Sequence, residues 1–129
     1  MAIELKWLTW SMLLGLAYVL IAATLATQQR GLSWVAGNRD GEAKTLTGAA
    51  ARASRASCNF LETFPFFAAA VLAVVVTKAS TPHTVLGAEL YFWARLVYLP
   101  VYIVGIPYLR TLVWAAGFVG LLLVLAALC

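Results

Sequence analysis

Four apolar stretches alternate with short polar breaks along the chain. Trp7 to Thr27 contains no charged residue and Cys58 to Thr77 contains Glu62 alone. Val85 to Ile106 contains Glu89 and Arg95, and Thr111 to Cys129 is again uncharged. Each stretch approaches the ~20 residues that a helix needs to cross the hydrocarbon core of a bilayer. The pattern therefore predicts four spans, I to IV, within one domain covering residues 1–129, with span II extended at its N-terminal end to about residue 48. The breaks carry turn chemistry. Gln28-Gln29-Arg30-Gly31 closes span I, and the polar run from Gly37 to Gly48 is the one long loop. Lys78 to Thr84 is a short turn around Pro82, and Gly105, Pro107 and Arg110 mark the last reversal, where a proline favours a helix boundary. The predicted fold class is all-α: an integral membrane bundle of four transmembrane helices in up-down topology. The apolar run of span I exceeds the usual 7–15-residue core of a signal peptide, so span I is expected to be retained.

Composition agrees and excludes other classes. Of 129 residues, 64% are hydrophobic and only 11% charged, against about 25% charged in an ordinary soluble domain. So few charges cannot coat a water-soluble globule of this size. The net charge of +4 does not point to nucleic acid, because the cations gather on one side. Arg30, Arg39, Lys44, Arg52 and Arg55 lie in the first loop region and Arg110 in the third turn, with only Lys6 and Lys78 opposite. Cytoplasmic loops carry the excess of Lys and Arg, so loops one and three are expected to be cytoplasmic and both termini to lie on the opposite side. Cys58 and Cys129 form no CxxC and no metal-binding spacing, and they fall at opposite ends of their spans. No disulfide and no metal site is expected. His83, the single histidine, reads as a solvated turn residue. Cys58 reads as a small buried filler, and Trp7, Trp10, Trp34 and Trp114 read as interfacial anchors.

Two polar stripes interrupt the apolar pattern. Arg52, Arg55, Asn59 and Glu62 fall at i, i+3, i+7 and i+10, an arc of roughly 80° on a helix. Tyr91, Arg95, Tyr98 and Tyr102 fall at i, i+4, i+7 and i+11, an arc of roughly 60°. Both run toward the cytoplasmic ends of their spans, where Arg110 joins them. Snorkelling explains Arg52, and an aromatic belt explains Tyr102. Neither explains Glu62, about two turns deeper than Arg55, nor why Arg95 shares a face with tyrosines. Ionisable groups inside a membrane are costly and mark functional sites by default; a structural Glu62–Arg95 ion pair between helices is the alternative. Arginines suit bidentate recognition of carboxylates and Glu62 suits an ammonium group. The set fits a small zwitterionic ligand with more carboxylates than amines. Glu89 points about 120° away from the Arg95 stripe and is expected to pair with Lys78 or a neighbouring chain.

The run from Arg52 to Pro65 (RASRASCNFLETFP) resembles the R-x-x-R-A-x-x-N-x-x-E-x-x-P signature of the membrane-associated proteins in eicosanoid and glutathione metabolism, the MAPEG superfamily. Trp93-Ala94-Arg95-Leu96-Val97-Tyr98, continued through Tyr102 to Arg110, resembles that family's span III and the start of span IV. Short loops point to a bacterial-type member similar to the microsomal glutathione transferases, in the bacterial inner membrane. The resemblance implies a homotrimer with glutathione, as co-substrate, between neighbouring subunits near the cytoplasmic face. It implies that Arg55, Asn59 and Glu62 hold the glutathione backbone and that Arg95, Tyr98 and Tyr102 contribute from span III. Arg52 would be a weaker contact at the rim, and Arg30 would reach toward a neighbour's ligand. Arg110 matches the arginine beside the thiol in transferase members; with Tyr98 or Tyr102 it would stabilise the thiolate for attack on a lipophilic electrophile or lipid hydroperoxide. Thr63 stands where some eicosanoid-synthesising members place a tyrosine, which argues against leukotriene-type specificity. Two other readings compete. One is a non-enzymatic lipid-binding or scaffold protein on the same fold. The other is a small four-helix drug exporter, disfavoured because span I lacks a glutamate midway along its apolar run, Glu4 lying outside it.

Overall fold

In the computed structural model, which describes residues 1–129, the chain is helical throughout its ordered elements and has no strand. Helix α1 is Ile3–Arg30, the short α2 is Leu32–Ala36, α3 is Gly48–Val76, α4 is Pro82–Val104 and α5 is Pro107–Ala126. Three of these, α1, α3 and α5, are long and apolar enough to cross a membrane. Helix α4 has 23 residues, carries Glu89, Arg95 and three tyrosines, and packs against α1, α3 and α5.

Local sequence explains the ends of α4. Thr81 and Thr84 form a reciprocal capping box: the Thr84 amide donates to Thr81 Oγ1 at 3.2 Å and the Thr81 amide to Thr84 Oγ1 at 2.8 Å. Pro82 occupies the first turn, where its missing N–H costs nothing. At the other end Gly105 takes the left-handed conformation, φ 91°, which a Cβ would make costly. The amides of Gly105 and Ile106 both donate to the Val101 carbonyl, and Pro107 then opens α5.

Contacts between helices define their relative directions. On α1 and α3, Gly15 lies against Phe60 and Gln29 against Thr47. Across α3 and α4, Arg52 meets Ile103, Asn59 meets Arg95 and Thr63 meets Tyr91. Both pairs are thus antiparallel. The contact between α4 and α5 is close enough to require glycine on both sides. A Cβ on Gly87 would stand 2.6 Å from the Gly120 carbonyl oxygen, and one on Gly120 the same distance from that of Gly87.

Two apolar clusters fill the interior. Phe67, Val71, Val74, Tyr91, Leu121 and Val124 form one, with the Phe67 and Tyr91 rings stacked at 4.0 Å. Tyr18, Phe60, Phe92, Tyr98, Leu99 and Tyr102 belong to the other. The flanks carry exposed Leu16, Leu20, Phe66, Val76 and Leu112, an apolar surface of the kind a soluble monomer avoids.

Two features depart from the pattern-based expectation. A turn of helix, α2, lies between the break at Gly31 and the polar run that begins at Gly37, and Gln29 exchanges two hydrogen bonds with the Thr47 backbone, closing the long loop at its base. Glu4, which lies outside the apolar run, is buried at 1% exposure and accepts hydrogen bonds from the hydroxyls of Ser80 and Thr84. It ties the start of α1 to the α3–α4 turn. No Glu89–Lys78 ion pair forms within the chain; Glu89 is half-buried on α4 without one.

Candidate functional site

The largest cleft, about 530 Å³, opens where α3, α4 and α5 meet near the α4–α5 turn. Helix α3 contributes Arg55, Asn59 and Glu62; α4 contributes Tyr98 and Tyr102; α5 contributes Arg110. The i, i+4, i+7 spacing from Arg55 to Glu62 places those three along one helical face, and the antiparallel packing of α4 sets its tyrosines opposite them. The pattern on α5 begins at its first turn, so Arg110 stands at the mouth.

Within the cleft the polar groups differ in how firmly they are held. Tyr98 and Tyr102 are buried at 2% and 8% exposure, their rings edge-on at 5.4 Å. Arg55 Nε donates to Tyr102 Oη at 3.3 Å. The Arg110 guanidinium carbon lies 4.8 Å from the Tyr102 ring centroid, within the range of a cation–π contact. Tyr102 thus joins the two cations. Glu62 is exposed and makes no ion pair within the chain, so its carboxylate is free to receive a ligand.

Arg95 lies behind this surface and does not line the cleft. It is 1% exposed, its guanidinium carbon 4.4 Å from the Tyr98 ring and 5.2 Å from that of Phe60. Its Nη1 donates to Asn59 Oδ1 at 2.9 Å, while Nε and Nη2 have no partner. The Glu62–Arg95 ion pair that helix spacing allowed therefore does not form. Instead Arg95 fixes the Asn59 amide by its oxygen, which leaves the two amide N–H groups as the donors available at the cleft. Tyr18, on α1, caps the Arg95 carbonyl at 2.5 Å.

The other sequence candidates lie apart. Arg52 Nε donates to the Ile103 carbonyl at 2.7 Å, and its side chain borders a separate, smaller cavity. Arg30 Nε donates to the Lys44 carbonyl at 2.9 Å, with its guanidinium 5.7 Å from the Trp34 ring centroid, so this last residue of α1 turns its side chain onto the long loop. Tyr91 shares the α4 stripe, but its hydroxyl bonds Thr63 Oγ1 at 3.0 Å, away from the cleft.

Four lining residues were not on the list of candidates: Ser54, Cys58, Thr111 and Trp114. Cys58 corrects an expectation, since it is exposed on the cleft and does not fill the core. The signal was present in the spacing: Cys58 lies between Arg55 and Glu62 on the same face, and Trp114 is one turn from Arg110. Trp114, read as an interfacial anchor, lines the cleft as well, whereas His83 is exposed in the first turn of α4.

The assembled surface is cationic on two sides, carries one free carboxylate, and has phenol and amide donors between. That arrangement can hold an ammonium and more than one carboxylate at once. No curated protein and no solved structure matches the chain. Residues 7–129 match the MAPEG family, a match that takes in every helix contributing to the cleft and both polar stripes. The chain belongs to the MAPEG family, and is an integral membrane protein of the class that serves eicosanoid and glutathione metabolism.

Proposed function

We propose that this protein is a membrane-bound glutathione transferase or peroxidase that ionises the glutathione thiol for attack on lipophilic electrophiles or lipid hydroperoxides. The observation that carries the reading is the convergence of Arg55, Asn59, Glu62, Tyr98, Tyr102 and Arg110 on one cleft. Glutathione has one ammonium and two carboxylates, and the cleft offers one acid against two guanidiniums. Glu62 takes the ammonium, Arg55 and the Asn59 amide take carboxylate and peptide oxygens, and Arg95 acts by positioning Asn59.

Arg110 is the thiol's partner in this reading. A free thiol ionises near pH 8.5, and an adjacent cation or a helix N-terminus lowers that by several units. Arg110 supplies the cation, and its place in the first turn of α5 adds the positive end of a helix. Tyr102 holds Arg110 through its ring, and Tyr98 or Tyr102 donates a hydrogen bond to the sulfur. The acceptor arrives from the bilayer, along the apolar flanks of α3 and α5.

The same reading places four helices across a bacterial inner membrane in up-down order, with the 31–47 loop and the α4–α5 turn cytoplasmic. Three copies assemble with glutathione between neighbouring subunits, as the family resemblance implies. The test is the absorbance of the glutathione thiolate on adding glutathione to purified protein, before any electrophile. A thiolate fraction well above that of free glutathione at the same pH is expected. No binding, or no excess ionisation, overturns the enzymatic reading and leaves a lipid-binding or scaffold role for the fold.

A further inference from the structure

A second cavity, about 180 Å³, adjoins the cleft. Arg55, Tyr102 and Arg110 line both; the remaining wall is Arg52 and the α4–α5 turn at Gly105, Ile106 and Pro107. The two spaces differ in charge. Glu62 faces the cleft, whereas three guanidiniums and no carboxylate face the smaller cavity.

Arg52 is fixed in place there. Its Nε is held by the Ile103 carbonyl at 2.7 Å, so its terminal Nη groups are left for a ligand. The guanidinium lies over the turn, with Nε 3.5 Å from where a Cβ on Gly105 would stand. Pro107 opens the 20-residue α5 at the same wall, adding a helix N-terminal field to that of the arginines. Planar guanidiniums of this kind suit the oxygens of phosphate. The surroundings are apolar: Val104 is 70% exposed, Tyr108 86%, and Ile106 is exposed between them. A free oxyanion has no use for such a rim, but a lipid does. Arg30, Arg39 and Lys44 gather at the same end of the bundle, and basic clusters at a membrane face concentrate anionic lipid.

We propose that this cavity binds the headgroup phosphate of an anionic phospholipid from the surrounding leaflet, with Arg52 as its dedicated anchor and Arg55 and Arg110 shared with the cleft. The sharing has a consequence that rests on the glutathione reading. A phosphate against Arg110 offsets part of the charge that would stabilise a thiolate, so bound anionic lipid lowers the ionised fraction of glutathione. Membrane composition then sets the activity of the thiol site.

The first arm uses full-length protein without glutathione, equilibrated with mixed phosphatidylglycerol and phosphatidylcholine and read by native mass spectrometry of retained lipid. Wild type should retain phosphatidylglycerol preferentially, and Arg52→Gln should reduce that preference about tenfold, the size expected for one charge-assisted hydrogen bond. Arg52→Lys should fall between the two. It also serves if the glutamine variant fails to fold, since Arg52 ties α3 to the end of α4. Inorganic phosphate alone should not displace the lipid. The proposal is overturned by no preference in wild type, by full preference in both variants, or by displacement with inorganic phosphate, which would mark a free-oxyanion site.

The second arm measures glutathione thiolate absorbance in nanodiscs with and without phosphatidylglycerol. The anionic lipid should lower it, and Arg52→Gln should remove the lipid's effect. Glutathione that binds and ionises identically in both lipids overturns the coupling alone. Failure of glutathione to bind at all overturns the enzymatic reading, while the first arm still decides the occupant of the cavity.

Discussion

Two glutamates on this chain meet opposite fates. Glu4, at the end of the bundle away from the cleft, is buried and receives the hydroxyls of Ser80 and Thr84. Glu62, in the cleft, is exposed and takes no ion pair from its own chain, although two arginines share its cleft. A buried carboxylate without donors would cost several kcal/mol, and Glu4 meets that demand within the fold. Glu62 is exposed and faces no such demand, so its carboxylate stays open at the cleft. Satisfaction within the chain marks a structural charge; a charge left open beside other open charges marks a binding surface. Arg95 and Arg110 differ in enclosure rather than in satisfaction, since Arg95 Nε and Nη2 have no partner. Arg95 is enclosed by Tyr18, Phe60, Tyr98 and Asn59, whereas Arg110 rests on Tyr102 at the mouth.

The largest test of this contrast is Arg110→Ala. Removing the cation beside the thiolate should lower the transferase rate by on the order of a hundredfold, as loss of a preorganised charge-stabilising donor does, with glutathione binding partly kept and the thermal midpoint unchanged. A variant that ionises glutathione as wild type does would show that Arg110 is not the activating group. Arg95→Leu should show the reverse profile. Losing the bond to Asn59 and the aromatic contacts should destabilise the protein by about 1.5–3 kcal/mol, the range for hydrogen bonds to charged groups, read as earlier thermal inactivation in detergent. Arg95→Lys should restore part of the stability, and an Arg95→Leu protein as stable as wild type would refute its enclosed role.

The glutamates themselves give the next contrast. Glu4→Ala strands two hydroxyls at the start of α4 and should cost about 1–2 kcal/mol of stability, with glutathione affinity unaffected. Glu62→Gln should weaken glutathione about tenfold, one charge-assisted contact being worth roughly 1.5 kcal/mol, without moving the thermal midpoint. Titration calorimetry beside thermal unfolding separates the two, and equal effects on both readouts in both variants would dissolve the distinction. Tyr91→Phe should be the smallest change. It removes the hydroxyl bond to Thr63 but keeps the stack on Phe67, costing about 1 kcal/mol or less and leaving the thiol chemistry intact.

Much of this is legible in the amino-acid sequence. The apolar stretches located the helices, and α3 does begin at Gly48, where the polar loop ends. The turn at Gly105–Pro107 and the cap near Pro82 follow from residues whose backbone preferences act locally. The i, i+3, i+7, i+10 spacing put Arg52, Arg55, Asn59 and Glu62 on one helical face, and three of the four line the cleft. Spacing says which way a side chain points and nothing of what stands there. Arg52 turned out to border a different cavity, Arg95 to be sealed behind Asn59, and Cys58 to look into the cleft. The role of Glu4 was hidden for the same reason, because its partners Ser80 and Thr84 lie more than 70 residues away in sequence.

By itself, the sequence determined the class of protein, the number and approximate extent of its long helices, and the faces that carry polar residues. Those properties follow from transfer free energies and backbone preferences, which each short segment expresses alone. Only the tertiary structure decided which polar groups are consumed inside the fold and which are left open. That choice depends on the close approach of α4 and α5 through Gly87 and Gly120 and on the antiparallel register of α3 against α4. Hydrogen bonds reach only about 3 Å, so a displacement of α4 by one helical turn would set Arg95 beside Glu62 instead of Asn59. No local pattern specifies a distance that fine between helices far apart in the chain.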